Sequence, residues 1–113
     1  MANTFKLKTK ANVDASLVTV YTVPSSTTTV IIGLTLANVK GASITADAQI
    51  VTASSSGENA DDVYVVKDIP LPAGSSVEIM GGNKIILETG DIVKVKGSKT
   101  NCVDSILSIM EIT

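Results

Sequence analysis

The chain contains no histidine and only one cysteine, Cys102. Without histidine there can be no serine–histidine–aspartate triad, no imidazole general base and no histidine ligand for zinc. A single cysteine can form neither a disulfide nor a thiolate zinc site within one chain, and without a histidine partner Cys102 is expected to be inert and partly buried. These absences exclude the common nucleophilic and metallohydrolase designs, so we expect no enzyme, no cofactor and no metal.

Aromatic residues are also scarce: Phe5, Tyr21 and Tyr64 are the only ones. The core must therefore consist of aliphatic side chains, many of them β-branched, which suit pleated sheets. The net charge of −2 and the lack of aromatic stacking surfaces argue against a nucleic-acid partner. No apolar run is long enough for a membrane span, and the first ten residues lack the apolar centre of a signal peptide, so we expect no membrane association and synthesis in the cytoplasm.

Carboxylates are the remaining candidates for chemistry, and they fall in two polar segments. Glu58, Asp61 and Asp62 follow a serine-rich stretch whose spacing matches no calcium loop, so a solvated loop is favoured over a calcium site. In the segment ETGD, residues 88–91, we predict a turn in which Gly90 adopts a left-handed conformation and Asp91 bonds to nearby backbone.

Short β-like segments separated by turn residues make up most of the sequence. They are residues 17–23, 29–39, 44–51, 63–69, 77–80, 84–87, 92–96 and 105–112. About eight short strands without a helical period predict an all-β fold, an antiparallel β-sandwich or jelly roll. We expect one sandwich domain over residues 17–113, preceded by residues 1–16. These form either an N-terminal arm or edge strand, whose lysines discourage further strand addition, or a frayed terminus.

Three local features of these strands can be predicted. Strict alternation along residues 29–39 would place Val30, Ile32, Leu34 and Leu36 on one face. The two prolines of IPLPAGSS, residues 69–76, indicate an extended segment that crosses between sheets. Gly81-Gly82-Asn83 favours a hairpin between residues 77–80 and 84–87.

Several strands carry apolar residues on both faces, although a two-layer sandwich needs only one buried face for each sheet. Surplus apolar faces indicate a subunit interface, because monomers rarely expose large apolar patches. We therefore predict a homo-oligomer, a trimer or another ring, whose candidate interface residues are Phe5, Leu7, Ile31, Ile106, Leu107, Ile109, Met110 and Ile112.

The chain resembles small β-rich virion structural proteins of tailed bacteriophages, especially those of marine cyanophage myoviruses. The resemblance rests on TVPSSTTTVIIGLTLANV, on VYVVKDIPLPAGSSVEIMGGNKIILETGDIVKVKG and on DSILSIMEIT, and it extends over about residues 19–113. It implies a non-enzymatic decoration, neck, tail or fibre-associated protein that is located in the virion and binds other virion proteins. It brings no catalytic residues.

A carbohydrate- or host-surface-binding module is the alternative, because sandwiches commonly bind glycans. Glycan sites usually rely on exposed aromatic rings, which makes this alternative less favoured here. Its partner-contact loop would contain Ser56, Glu58, Asn59, Asp61 and Asp62.

Overall fold

The computed structural model describes residues 2–53 and 61–113, and the described residues form strands and turns without a helix. The predicted loop residues Ser56, Glu58 and Asn59 lie outside them. Among the described residues there are nine strands: β1 (Asn3–Val13), β2 (Val18–Thr22), β3 (Thr28–Asn38), β4 (Ile44–Val51), β5 (Val63–Leu71), β6 (Ser76–Glu78), β7 (Ile85–Leu87), β8 (Ile92–Gly97) and β9 (Val103–Ile112).

Two antiparallel sheets contain all of these strands, so the prediction of an all-β sandwich is confirmed. Sheet I has the order β1-β9-β3, and both β6 and β7 pair with the far side of β3. Sheet II has the order β2-β8-β4-β5. Strand β1 is an edge strand, and it pairs with β9 in one regular register from Asn3 to Lys10.

The core between the sheets is aliphatic, as the scarcity of aromatic residues requires. From sheet I it receives Leu34, Leu36, Leu107 and Ile109, and from sheet II it receives Val93 and Val95, all at most 2% exposed. Cys102 is also completely buried and belongs to this core. The strands that supply these side chains alternate between buried positions and positions that are half-buried or exposed, which leaves one outer face on each sheet.

Strand β3 departs from strict alternation, so the prediction for its two faces is wrong. Its register with β9 shifts between Ile31 and Gly33, which leaves Ile32 as an extra residue. Such a bulge moves every following side chain to the opposite face. Val30 therefore lies on the outer face, whereas Leu34 and Leu36 lie in the core.

The predicted hairpin between residues 77–80 and 84–87 is also wrong. Strand β6 pairs with Thr35–Ala37 and β7 pairs with residues 29–31, so both continue one broken edge strand along β3. The glycine-rich turn lies between them, and its Asn83 N–H donates to the carbonyl of Met80 at 2.9 Å. Met80 is buried at this break, which gives the apolar residue a place in the core.

The predicted turn at residues 88–91 is present, and the predicted crossing segment is present only in part. Gly90 has a φ of +90°, and one carboxylate oxygen of Asp91 accepts the N–H of Glu88 at 2.9 Å. The other accepts the N–H of Ala53 at 2.9 Å, so Asp91 also ties this turn to the end of β4. The crossing predicted for residues 69–76 is shorter than expected, because residues 69–71 belong to β5 and pair with β4, where an edge strand tolerates Pro70. The chain crosses to β6 in sheet I only over residues 72–75.

Candidate interaction surface

The outer face of sheet I carries a row of four apolar side chains, one from each neighbouring strand. Phe5 of β1 lies opposite Met110 of β9, Met110 lies opposite Val30 of β3, and Val30 lies opposite Ile86 of β7. Directly opposed residues share one face of a sheet, so the four side chains form a continuous band, which we call the apolar row. Phe5 is 72% exposed and Ile86 is 68% exposed, while Met110 and Val30 between them are half-buried.

Further apolar side chains border the apolar row on the same outer face. Leu7 is 63% exposed, Ile106 and Ile32 are also exposed, and Ile112 is half-buried. Together they make an apolar surface that spans the sheet, whereas isolated exposed apolar residues would need no explanation.

Two carboxylates on this outer face lie away from the apolar row and accept hydrogen bonds. The carboxylate of Glu78 accepts the N–H groups of Leu34 and Met80 at 3.1 and 2.8 Å and the hydroxyl of Thr35 at 3.0 Å. Asp104 accepts the N–H of Asn12 at 2.9 Å. The apolar row itself contains no charge, so its burial carries no cost for desolvating ions.

The structure divides the eight predicted interface residues into two groups. Phe5, Leu7, Ile106, Met110 and Ile112 lie on the outer face of sheet I. Ile31, Leu107 and Ile109 differ from the prediction because they point between the sheets, are at most 1% exposed and pack in the core of this chain. Val30 and Ile86 were not predicted for this surface: the bulge places Val30 and Leu34 on opposite faces, and no local signal shows that β7 pairs with β3.

The other face of β1 closes one side of the sandwich with lysines. Lys6 forms an ion pair with Glu111 of β9, with 2.8 Å between Nζ and Oε1, and Glu111 is 5% exposed. The ammonium of Lys8 lies 5.9 Å from the centre of the Tyr21 ring. Tyr21 belongs to β2, the edge of sheet II, so Lys8 reaches across to the second sheet while Lys6 pairs within sheet I.

A buried polar network continues from this ion pair. The Tyr21 hydroxyl donates to Glu111 Oε2 at 2.6 Å and lies 2.7 Å from Thr29 Oγ1, so Thr29 is left to donate to the Tyr21 oxygen. Burial, followed by the hydrogen bond to Glu111, raises the pKa of Tyr21 to about 12. Hydrogen bonds from Lys6 and Tyr21 lower the pKa of Glu111 and outweigh its desolvation. The network joins β9 and β3 to β2 and so links the two sheets.

The network predicts that Tyr21 ionises at a higher pH than an ordinary tyrosine. In a Tyr64→Phe variant, the near-ultraviolet absorbance of tyrosinate should rise with a midpoint near pH 12 while the chain stays folded. Because the folded pKa lies above the ordinary value of 10.0, the stabilisation is complete below pH 10 and is lost as the pH rises towards 12. A midpoint at the ordinary value in folded protein would show that the phenol is neither buried nor held by Glu111.

The outer face of sheet II has a different character, because it is charged. Asp47 is buried in the centre of β4, 3.4 Å from the ammonium of Lys67 and 4.0 Å from that of Lys96. It also accepts the N–H of Asp68 at 2.7 Å, where β5 bulges and Asp68 has a φ of +53°. The carboxylate thus holds the bulge of an edge strand in place, which is a structural role.

The two described residues of the predicted contact loop lie just before β5. Asp61 and Asp62 are exposed, and both bond back to Thr52: the Asp62 carboxylate accepts its N–H at 3.3 Å, and the Asp61 carbonyl accepts its hydroxyl at 3.2 Å. The adjacent Tyr64 is 42% exposed, and the Lys67 ammonium lies 5.1 Å from its ring centre.

Other features of the described residues offer little chemistry. No cluster of three potential metal ligands occurs among them, and none of them belongs to a helix long and apolar enough to cross a membrane. A shallow depression of about 270 Å³ lies where the register of β1 and β9 shifts. It is lined by Thr9, Lys10, Ala11, Asp104, Ser105 and Ile106.

No protein-family model and no curated protein sequence matches the chain. Solved structures share its fold. A chain of the Bacillus endospore appendages, described as disulfide-linked pili, aligns over 99% of this chain and 87% of its own length, with a TM-score of 0.53 and 12% identity.

Chains from two viral-particle structures align as well. One, from the T13 particle of infectious bursal disease virus, covers 96% of this chain with a TM-score of 0.57 and 9% identity. Another, from the Gx strain of that virus, covers 96% with a TM-score of 0.50 and 14% identity. This chain spans only 30% and 32% of their respective lengths, so it corresponds to one part of those proteins. At these identities the likeness is one of fold alone.

Proposed function

We propose that the protein is a non-enzymatic structural subunit that assembles with copies of itself and with other structural proteins. The observation that carries the proposal is the uncharged apolar row on the outside of sheet I. A surface of this kind is stabilised when another protein covers it, and closed oligomers of identical chains are the commonest arrangement. The fold shared with a pilus chain and with viral-particle chains is in keeping with this role.

In its finer form, the proposal is a component of a tailed-phage virion: a decoration, neck, tail or fibre-associated protein. Its support is the sequence resemblance over about residues 19–113, together with a fold that viral particles also use. The assembled form would be a trimer or another ring docked on other virion proteins. The protein would be made in the host cytoplasm and located in the virion.

Residues 1–16 are proposed to act as an arm in this assembly. Strand β1 buries only Val13 of its eleven residues, so most of its side chains remain available for contacts outside the chain. Its outer edge is regular over Asn3–Lys10, and such an edge offers unpaired backbone groups to a neighbouring strand. Lys6 and Lys8 point towards the sandwich and limit which strands could add there.

The proposal is tested by measuring the solution mass of the full-length protein by light scattering over a wide dilution series. We expect a discrete oligomer that dissociates on dilution. A variant that lacks residues 2–10 but keeps the buried Val13 should dissociate at a higher concentration. A compact monomer at every concentration would contradict self-assembly, and an oligomer unchanged by the truncation would contradict the role of the arm.

Glycan binding is the second candidate, and the exposed Tyr64 beside Asp61 and Asp62 favours it, since sugars stack on exposed aromatic rings. A glycan array distinguishes the two candidates. Binding that is lost in Tyr64→Ala would support the glycan-binding module, and the absence of binding by the assembled protein would support the structural role.

A further inference from the structure

The apolar row has the same character at both of its ends. Its outer members, Phe5 and Ile86, are the large and highly exposed side chains, and its inner members, Met110 and Val30, are half-buried. The two halves of the row, on either side of the line between β9 and β3, are therefore similar in side-chain size and exposure. A surface with this property is suited to pack on a copy of itself, because in a two-fold interface each patch meets the same patch.

We propose that two copies stack sheet I on sheet I, about a two-fold axis that runs parallel to the strands between β9 and β3. In this arrangement Phe5 of each copy packs on Ile86 of the other, and Met110 of each packs on Val30 of the other. The strands of the two sheets lie nearly aligned, as in ordinary sheet-on-sheet packing. The inference rests on the proposed function, which makes a second copy the partner.

The positions of the carboxylates favour this axis. Because β1 faces β6 and β7 of the second copy, Glu78 lies opposite Thr9 and Asp104 lies opposite Ala37, so no two carboxylates meet. An axis across the strands at Leu7 would instead place Glu78 over Ile86 of the second copy. Covering a carboxylate with a large apolar side chain is costly. The axis parallel to the strands instead places Glu78 opposite the polar Thr9 and Asp104 opposite only the small side chain of Ala37, so it is the better match.

The size of the face indicates how strong the contact is. The face is four strands wide, at about 4.8 Å for each strand, and about seven residues long, at about 3.4 Å for each residue along a strand. Its area is therefore about 450 Å² per copy. Two such faces bury about 900 Å², below the roughly 1,200 Å² at which standard stable interfaces begin. The pairing is therefore expected to be weak and dependent on concentration, as suits one contact among several in a larger assembly.

The experiment introduces opposite charges at the two ends of the row. Phe5→Lys and Ile86→Glu should each weaken self-association at least about tenfold, because a charge is then placed against an apolar side chain twice in each pair. When the two variants are mixed, the introduced ammonium and the introduced carboxylate meet once, and the remaining Phe5–Ile86 contact is native. Sedimentation of the mixture should therefore show association restored between unlike copies.

The controls are Val63→Lys and Val63→Glu, which place the same charges at a comparably exposed position on sheet II. They should leave the dissociation constant unchanged, and circular dichroism should show that all four variants are folded. Loss of association in the single variants without restoration on mixing would overturn the proposed axis. An oligomer that persists in both single variants would overturn the inference but leave the proposed function intact, and a monomeric wild type would contradict both.

Discussion

Gly97→Ala is expected to lower the free energy of unfolding by about 3 kcal/mol, the upper range for overpacking a core. A Cβ added to Gly97 would overlap Sγ of Cys102 and would also crowd Cγ2 of Val103 at 3.2 Å. Gly97 does not have a positive φ, so an alanine there would add no backbone strain. The expected loss therefore comes from the clash with Cys102, and chemical denaturation at neutral pH measures it.

Removal of the sulfur should rescue the substitution. In the double variant Gly97→Ala/Cys102→Ala, the new methyl group occupies the space that Sγ leaves, so the two changes should cost less together than the sum of their separate costs. A coupling of about 1–3 kcal/mol is typical of side chains that touch. Additive losses would show that the alanine is excluded for another reason. A measured coupling would also show that Cys102 has a packing role, in agreement with its complete burial.

The strands and turns were largely predictable because their signals are local. Glycine, proline and asparagine mark the chain reversals, and Gly90 with Asp91 forms the predicted turn. Pairing is different, because it depends on residues distant in the sequence. Nothing local shows that β6 and β7 both add to β3, or that Ile32 is an extra residue opposite β9.

The candidate surface was predictable only in part for the same reason. Alternation separates Ile106 and Met110 from Leu107 and Ile109, but it does not show which set faces the second sheet. Only the packing of the sheets assigns Leu107 and Ile109 to the core and leaves Met110 outside. Ile86 belongs to the surface because β7 pairs with β3 at Val30, and no local signal in the sequence shows this pairing.

The two outer faces of the sandwich differ, because one is apolar and the other is charged. Sheet I presents the apolar row, whereas sheet II presents the ammonium groups of Lys67 and Lys96 beside the buried Asp47. Covering these ammonium groups would remove charges from water, which is costly. In the proposed assembly, copies therefore meet through sheet I, and sheet II stays towards water.

Replacement of Glu111 is the second change with a large expected effect. Glu111→Gln keeps an acceptor for the Tyr21 hydroxyl but removes the charge that pairs with Lys6, and we expect a loss of about 2 kcal/mol at neutral pH. Glu111→Ala removes both contacts and leaves the buried Tyr21 and Thr29 hydroxyls with each other, so its loss should be larger. The exposed Glu88→Gln serves as the control and should change stability little.

The pH dependence of stability distinguishes the effect of removing the charge of Glu111 from the effect of changing its packing. Its folded pKa lies below the ordinary value of 4.5, so the unfolded chain binds more protons in the interval between the two values. The stabilisation is therefore complete above pH 4.5 and is lost as the pH falls through the folded pKa. Denaturation at a series of acidic pH values should show the difference between wild type and Glu111→Gln narrowing below pH 4.5. A difference that stays constant in acid would mean that the glutamine disturbs packing, and that the ion pair with Lys6 does not join β1 to the sandwich.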